Sequence, residues 1–302
     1  MSIESRPVGT PGRLFIVATP IGNLEDMSPR AVRTLREAGL ILVEDTRVST
    51  RLLHHYAITT PMRACHDHNE RRLVEDIIAR LQSGEPIALI SDAGTPLVSD
   101  PGFHLVRAAH QVGIQVVAVP GPCSVVAALS VAGLPTDRFA FEGFLPAADG
   151  PRRRRLEALR EESRTMVFLE APHRLQDTLQ DMLVAFGADR PATFARELTK
   201  LHETTRHGSL TQLAGIVAGD PDQRRGEIVL CVGGAEPTAT DMVEGLRVAR
   251  VLRKYLATGQ AAAAAGELTG ISRKRLYQAL LEDESGTSTA LASAPAEPDT
   301  SA

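Results

Sequence analysis

The sequence predicts an α/β fold: two α/β domains in tandem, followed by a small helical domain resembling a helix-turn-helix. Three observations carry that reading. Within the first 135 residues, five short apolar runs each give way at their C-terminal end to polar or Gly/Pro-rich sequence and then to a helical pattern. Strands returned by helices run parallel. After a turn and an aromatic-rich stretch at 133–146, the strand and helix pattern restarts with less regular spacing, which predicts a mixed second sheet. From Asp241 onward the apolar positions fall at helical intervals, with a glycine turn between two short helices.

Residues 1–12, with Pro7, Gly9, Pro11 and Gly12, read as a flexible arm before the first domain, 13–135. Its first strand, 14–18, ends in Thr19-Pro20-Ile21-Gly22-Asn23-Leu24. Ser28-Pro29 opens a helix that Gly39 stops. The strand 40–43 ends in Glu44-Asp45-Thr46-Arg47, and a helix through Leu52 and Leu53 follows. A weaker strand, 62–65, ends in His66-Asp67-His68-Asn69-Glu70 before a helix through Leu73, Ile77 and Leu81. The run 86–90 ends in the segment 91–102, which holds two acidic residues, two glycines and two prolines. The next helix is expected to take Asp100 as N-cap and Pro101 as its first residue. The strand 116–119 ends in Pro120-Gly121-Pro122-Cys123-Ser124, ahead of a helix over 125–131. All five loops then lie along one sheet edge, where open α/β sheets bind ligands. None carries G-x-G-x-x-G or a P-loop pattern.

The second domain, 136–236, shows a helix over 152–164, a strand at 165–169 and a helix over 172–186. Strands at 192–195 and 228–232 complete it. In the third, 241–284, the turn Thr269-Gly270-Ile271 precedes a helix opened by Ser272 and carrying Arg273, Lys274 and Arg275, an arrangement suited to nucleic-acid contact. Residues 285–302, rich in Ser, Thr, Ala and Pro, are expected to be disordered.

The 302 residues are 43% hydrophobic and 23% charged, an ordinary globular balance. With a net charge of −4, global attraction to nucleic acid is not expected, so local patches must carry any such contact. No apolar run approaches the ~18 residues of a membrane span. The N-terminal sequence lacks an apolar signal core, and the three cysteines, Cys65, Cys123 and Cys231, stand far apart. The expectation is a cytoplasmic protein with no membrane association, no disulfide framework and no zinc site.

Seven segments occur in one order: 19–24, 44–47, 66–70, 91–102, 120–122, 141–146 and 196–200. Together they resemble the bacterial 16S rRNA (cytidine-2′-O)-methyltransferases, the ribosomal small subunit methyltransferase I family of the tetrapyrrole methylase superfamily. The resemblance runs from Leu14 to Gly234, and the C-terminal helices are similar to that family's extra domain. Cys123 stands where relatives outside the family often carry Ser. The resemblance implies S-adenosyl-L-methionine in a cleft between the two α/β domains, and a homodimer. It further implies methyl transfer to the ribose 2′-OH of a decoding-region cytidine, with the small ribosomal subunit and its 16S rRNA as partner. Other members of the superfamily methylate corrin-like macrocycles, so a small-molecule methyltransferase is the alternative. The arginine clusters and the helix-turn-helix-like end favour RNA.

Under that resemblance, Pro20, Gly22, Asp92, Ala93, Gly94 and Thr95 fall in cofactor-binding loops. Gly121, Cys123 and Ser124 open a helix whose N–H groups can face the cofactor's carboxylate. Leu169 and Ala195 end strands and frame the adenosine. Glu44 and Asp45 end a buried strand, where a carboxylate can gain a raised pKa and act as the base; an ion pair with Arg47 closing the loop is the equal alternative. Arg47 and Arg51, one helical turn apart, can grip the RNA backbone. His66 and His68 share a face, but no further ligand cluster supports a metal, and His66 is a second candidate base. Arg152 and Arg153 belong to a charge run that reads as a solvated face or an rRNA contact, and Arg273, Lys274 and Arg275 complete the RNA-binding set.

Overall fold

A computed structural model describes residues 11–66, 68–236 and 239–284. The expected arm lies outside the described residues apart from Pro11 and Gly12, and so do Asp67 and the expected tail at 285–302. Gly12 is tied down, its N–H donating to Leu81 O at 2.6 Å. The chain divides into two compact units between Ala235 and Glu236.

The first unit opens with β1 (Arg13–Val17), α1 (Pro29–Glu37), β2 (Leu40–Val43), α2 (Thr46–His55) and β3 (Met62–Ala64). It continues with α3 (Glu70–Gln82), β4 (Ile87–Leu89), α4 (Phe103–Gln111), β5 (Gln115–Val119) and α5 (Ser124–Val131). The five strands form one parallel sheet in the order β3-β2-β4-β1-β5. Strand periodicity divides its residues between two cores. Leu14, Leu40, Leu42, Ile87 and Leu89 pack on Ile77 and Leu81 of α3 and Leu105 of α4. Val17, Ile41, Val43, Ala88 and Ile90 pack on Leu35 of α1 and Leu53 of α2. Because both faces are covered, these strands read as continuous apolar runs.

The connections leaving the neighbouring strands β1 and β4 therefore pass to opposite faces of the sheet, α1 to one and α4 to the other. Such a switch point opens a crevice outside the strands' carboxyl ends. The start of α4 differs from the sequence expectation. Asp100 and Pro101 precede the helix, whose N-cap is Gly102 at φ +126°. The cap comes from outside: the buried carboxylate of Glu70 on α3 accepts the Leu105 N–H at 2.9 Å. Local cap signals gave way to a tertiary acceptor that also satisfies the helix dipole.

The second half of this unit holds β6 (Phe139–Phe144), α6 (Asp149–Ala158), β7 (Thr165–Glu170), α7 (Leu175–Phe186) and β8 (Pro191–Arg196), then β9 (Thr204–Ser209), α8 (Leu210–Gly219) and β10 (Ile228–Val232). Its sheet is mixed, in the order β6-β7-β10-β8-β9, with β6 parallel to β7 and the other pairs antiparallel. One face packs Phe168 and Phe194, both fully buried, against α7 and α8. The other face meets α5: Val167, Leu169, Ala195, Val229 and Cys231 pack with Ile21, Val125, Ala128 and Leu129. The two sheets thus share an apolar seam.

The second unit contains α9 (Ala239–Arg253), α10 (Thr258–Thr269) and α11 (Arg273–Glu284). Ala249, Ala262, Ala265, Ile271, Leu276 and Leu280 form its core. Gly270, left-handed at φ +75°, ends α10, and Ser272 Oγ accepts the Arg275 N–H to start α11. No helix among the described residues is long and apolar enough to cross a membrane.

Candidate functional site

The loops at the carboxyl edge of the parallel sheet are laced together. Thr19 and Gly94 exchange both backbone hydrogen bonds, at 2.8 and 3.1 Å, joining the loops after β1 and β4 at the switch point. Thr95 Oγ1 donates to Pro122 O at 2.9 Å, joining the loop after β4 to that after β5. Asp45 N–H donates to Asp92 Oδ1 at 3.0 Å, which brings in the loop after β2. Burial pushes the Asp92 carboxyl up from its ordinary value, and the nearby Asp45 charge adds to that rise. Pro20 and Gly94 are buried, Asp92 and Thr95 half-buried, and Ala93 and Gly22 exposed. The structure therefore brings Pro20, Gly22, Asp92–Thr95 and Gly121–Ser124 into one loop cluster.

Between this cluster and the second sheet lies a cavity of about 300 Å³, lined by Ile21, Asp26, Gly121, Pro122, Cys123, Ala127 and Thr199. Gly121 sits in close approach, since a Cβ there would stand 3.0 Å from Ala18 Cβ. Cys123 is the N-cap of α5, but its side chain makes no capping hydrogen bond, so the first-turn N–H groups of α5 have no cap from that residue. Such a helix start favours an anion. Leu169 and Ala195 flank Val229 in one row across the second sheet. They belong to the apolar seam that the cavity adjoins, and Ala195 is almost completely buried there.

The three candidate bases separate on physical grounds. Asp45 is the N-cap of α2, accepting Arg47 N–H at 2.8 Å, and its carboxylate pairs with the Arg47 guanidinium at 2.5 Å. Those side-chain and backbone hydrogen bonds from Arg47 hold its carboxyl down at about 2. This is the loop-closing ion pair, and a carboxylate so stabilised is a weak proton acceptor. Glu44, half-buried, follows directly on the fully buried strand β2. His66 is half-buried, and its Nδ1 is buried without a hydrogen-bond partner among the described residues. The His66 and His68 rings meet edge-on at 5.9 Å, and no group of three or more metal-ligating side chains occurs among the described residues.

The arginines divide in the same way. Arg47, 89% exposed although paired, and Arg51 both project from α2. Arg152 requires a correction. It is buried, its Nε donates to Asp181 at 2.7 Å, and Nη2 donates to Asp149 at 3.0 Å. A buried guanidinium so engaged is closed to RNA phosphate, and it anchors α6 to α7 instead. Arg153 shares Asp181 at 2.8 Å but keeps a solvent-facing side chain. In the second unit Arg273 and Lys274 are exposed at the start of α11, while Arg275 pairs with Glu236 at 3.0 Å.

Sequence reasoning marked the loop after β8 as a motif but gave none of its residues a role in the site; there Glu197 and Thr199 have φ of +51° and +67°. Neither is glycine, and a β-branched residue there is strained by about 1–3 kcal/mol. Lys200 fixes the loop: its Nζ contacts Glu197 Oε1 at 2.8 Å and Glu227 Oε2 at 3.3 Å. Its stem lies across Gly22, where an added Cβ would stand 2.4 Å from Lys200 Cγ. Gly22 and Lys200 touch, and their chain neighbours Ile21 and Thr199 both line the cavity. The motif Arg196-Glu197-Leu198-Thr199-Lys200 marked the segment, but with no glycine in it nothing in the sequence signalled the left-handed backbone.

Comparison with known proteins gives a consistent picture. A family model for Tetrapyrrole (Corrin/Porphyrin) Methylases matches residues 13–214, and one for the RsmI C-terminal HTH domain matches residues 239–284. A Ribosomal RNA small subunit methyltransferase I from Pseudomonas aeruginosa is 56% identical over 274 residues, spanning 90% of this chain and 97% of that protein. Uroporphyrin-III-C-methyltransferase from Thermus thermophilus has a similar fold, with a TM-score of 0.52 and 24% identity over 74% of this chain and 94% of that one. A structure of that enzyme complexed with S-adenyl homocysteine gives a TM-score of 0.50 at 21% identity, covering 74% and 97% of the two chains.

Proposed function

Because this chain belongs to the tetrapyrrole methylase family, and within it to the ribosomal RNA small subunit methyltransferase I proteins, we propose that it is an S-adenosyl-L-methionine-dependent rRNA methyltransferase. Its substrate in this reading is the small ribosomal subunit, and its product a 2′-O-methylated ribose on a decoding-region cytidine of 16S rRNA. The observation that carries the proposal is the cavity of about 300 Å³ lined by the loops after β1, β5 and β8 and by the start of α5.

The residues there suit the cofactor. First-turn N–H groups of α5, not capped by Cys123, face a carboxylate well. Ile21 and Ala127 give an apolar wall, and Gly121 lets the loop after β5 pack closely on Ala18. S-adenosylmethionine supplies a sulfonium methyl open to attack by a hydroxyl. The chain's own contribution is alignment, worth about 7–11 kcal/mol of barrier where reacting groups are well oriented. The laced loops supply that rigidity, with Asp92 holding the loop after β2 in place through Asp45 N–H. Glu44 and His66 Nδ1 are the groups proposed to accept the ribose hydroxyl proton, with Asp45 confined to capping α2. Exposed Arg47, Arg51, Arg153, Arg273 and Lys274 are proposed to hold the RNA backbone.

We further propose a homodimer in the cytoplasm. The exposed face of α4, with Phe103, Val106 and His110 around a recess of about 520 Å³, offers apolar surface to a second copy. The test of substrate class is a transfer assay. The protein is incubated with methyl-labelled S-adenosylmethionine and either small subunits lacking this modification or a corrin-type macrocycle. Label in the RNA alone is expected; label in the macrocycle alone overturns the reading.

A further inference from the structure

Thr199 combines three features. It lines the cavity between the loop cluster and the second sheet. Its backbone sits at φ +67°, a region that β-branched side chains avoid. Its Oγ1 is buried and has no hydrogen-bond partner among the described residues. Left-handed backbone at a threonine persists only where the surroundings over-determine it, and such strain gathers at ligand-binding positions. A buried hydroxyl without a partner carries an uncompensated desolvation cost.

The surroundings do over-determine it. Thr199 N–H donates to Glu203 Oε2 at 2.6 Å. On its other side, Lys200 is held by Glu197 and Glu227 and lies across Gly22 of the loop after β1. Glu197 Oε1 also accepts Glu227 N–H at 2.8 Å, closing the frame. Four residues thus hold Thr199 against the cavity while leaving its hydroxyl idle. Because no hydrogen bond fixes that hydroxyl, a turn about Cα–Cβ to meet a ligand breaks nothing.

We infer that Thr199 is a direct contact of the ligand in this cavity, its hydroxyl supplying a hydrogen bond and the Lys200 clasp presenting it. The inference rests on the cavity being the S-adenosylmethionine site. Ile21, Pro122 and Ala127 have side chains that offer no hydrogen bond, so Thr199 and Asp26 supply the polar oxygen atoms among the lining side chains, and of the two only Thr199 can also donate when Asp26 is ionised.

The test compares wild type, Thr199→Val and Thr199→Ser by calorimetric titration with S-adenosylmethionine, and by thermal melting without it. Valine keeps the shape and the β-branch but removes the hydroxyl; serine keeps the hydroxyl. The expected result is a loss of about two- to tenfold in affinity for valine, the usual worth of one hydrogen bond. Serine stays within about twofold of wild type. The cofactor-free melting temperature of the valine variant is unchanged or raised, because an unsatisfied buried hydroxyl has gone. Wild-type affinity in the valine variant overturns the inference alone, as does a valine variant that melts lower without cofactor. A wild-type protein that does not bind S-adenosylmethionine overturns the cofactor reading and this inference with it.

Discussion

Replacing Arg152 by alanine separates a structural arginine from an RNA-binding one. The side chain is 3% exposed and bridges Asp181 at 2.7 Å and Asp149 at 3.0 Å. Asp181 is itself 7% exposed, so removing Arg152 strips a nearly buried carboxylate of one of its two partners and leaves Arg153 to hold it from the surface. Breaking a buried pair from one side costs about 3–5 kcal/mol. For a unit of this size each kcal/mol moves the melting temperature by about 2–4 °C, so a drop of roughly 6–20 °C is expected by scanning calorimetry. Arg152→Lys restores only part of it, because one ammonium cannot reproduce a guanidinium's fork to two carboxylates. At a temperature where the variant is folded, its affinity for small subunits matches wild type. An alanine variant that melts with wild type but binds subunits more weakly refutes this reasoning and returns Arg152 to the RNA surface.

Gly121→Val puts a branched side chain where even a Cβ stands 3.0 Å from Ala18 Cβ, which displaces the loop lining the cavity, and S-adenosylmethionine affinity should fall more than about tenfold by calorimetry. Unchanged affinity would move the cofactor elsewhere. Arg273→Ala with Lys274→Ala should lower the slope of log K against log salt for subunit binding by about 1.5, if each side chain neutralises one phosphate, and leave cofactor affinity alone. Glu162 is held down at about 2 by hydrogen bonds from the Arg164 side chain, against an ordinary 4.5. A depressed carboxyl stabilises the fold above pH 4.5 and loses that contribution as pH falls toward 2. Glu162→Gln should therefore flatten the acid limb of the melting curve between those values; an identical limb would exclude the pair.

The parallel sheet was legible because its strands are buried on both faces and appear as bare apolar runs, and because each loop carries its own turn residues. The edges of the second sheet were not. β9 reads Thr-Thr-Arg-His-Gly-Ser and lies half exposed at an edge, so no apolar alternation marks it. β6 carries exposed Phe139, Phe141 and Phe144, with a register shift between Phe141 and Gly143, and resembles a linker as much as a strand. At α4 the local signal misled: Asp100-Pro101 has the form of a helix start, but the cap is Glu70, some thirty residues upstream on α3. Within the site, loop positions followed from strand ends, so the Asp92 and Gly121 clusters were findable. Arg152 and Arg153 looked alike in sequence and both reach Asp181; only the burial of Arg152 tells them apart. Thr199 and the Lys200 clasp depend on a contact between residues 22 and 200, which no local pattern encodes.

In the proposed reaction, a cofactor held in the cavity between the loops after β1, β5 and β8 gives its methyl group to one ribose of small-subunit rRNA. The most direct measurement is mapping. Subunits methylated by the purified protein from labelled S-adenosylmethionine are digested with nuclease, and the fragments are read by mass spectrometry. A single 2′-O-methylcytidine in the decoding region is the predicted result. Label on a base, label dispersed over many positions, or no label on a subunit in the presence of bound cofactor would contradict the account.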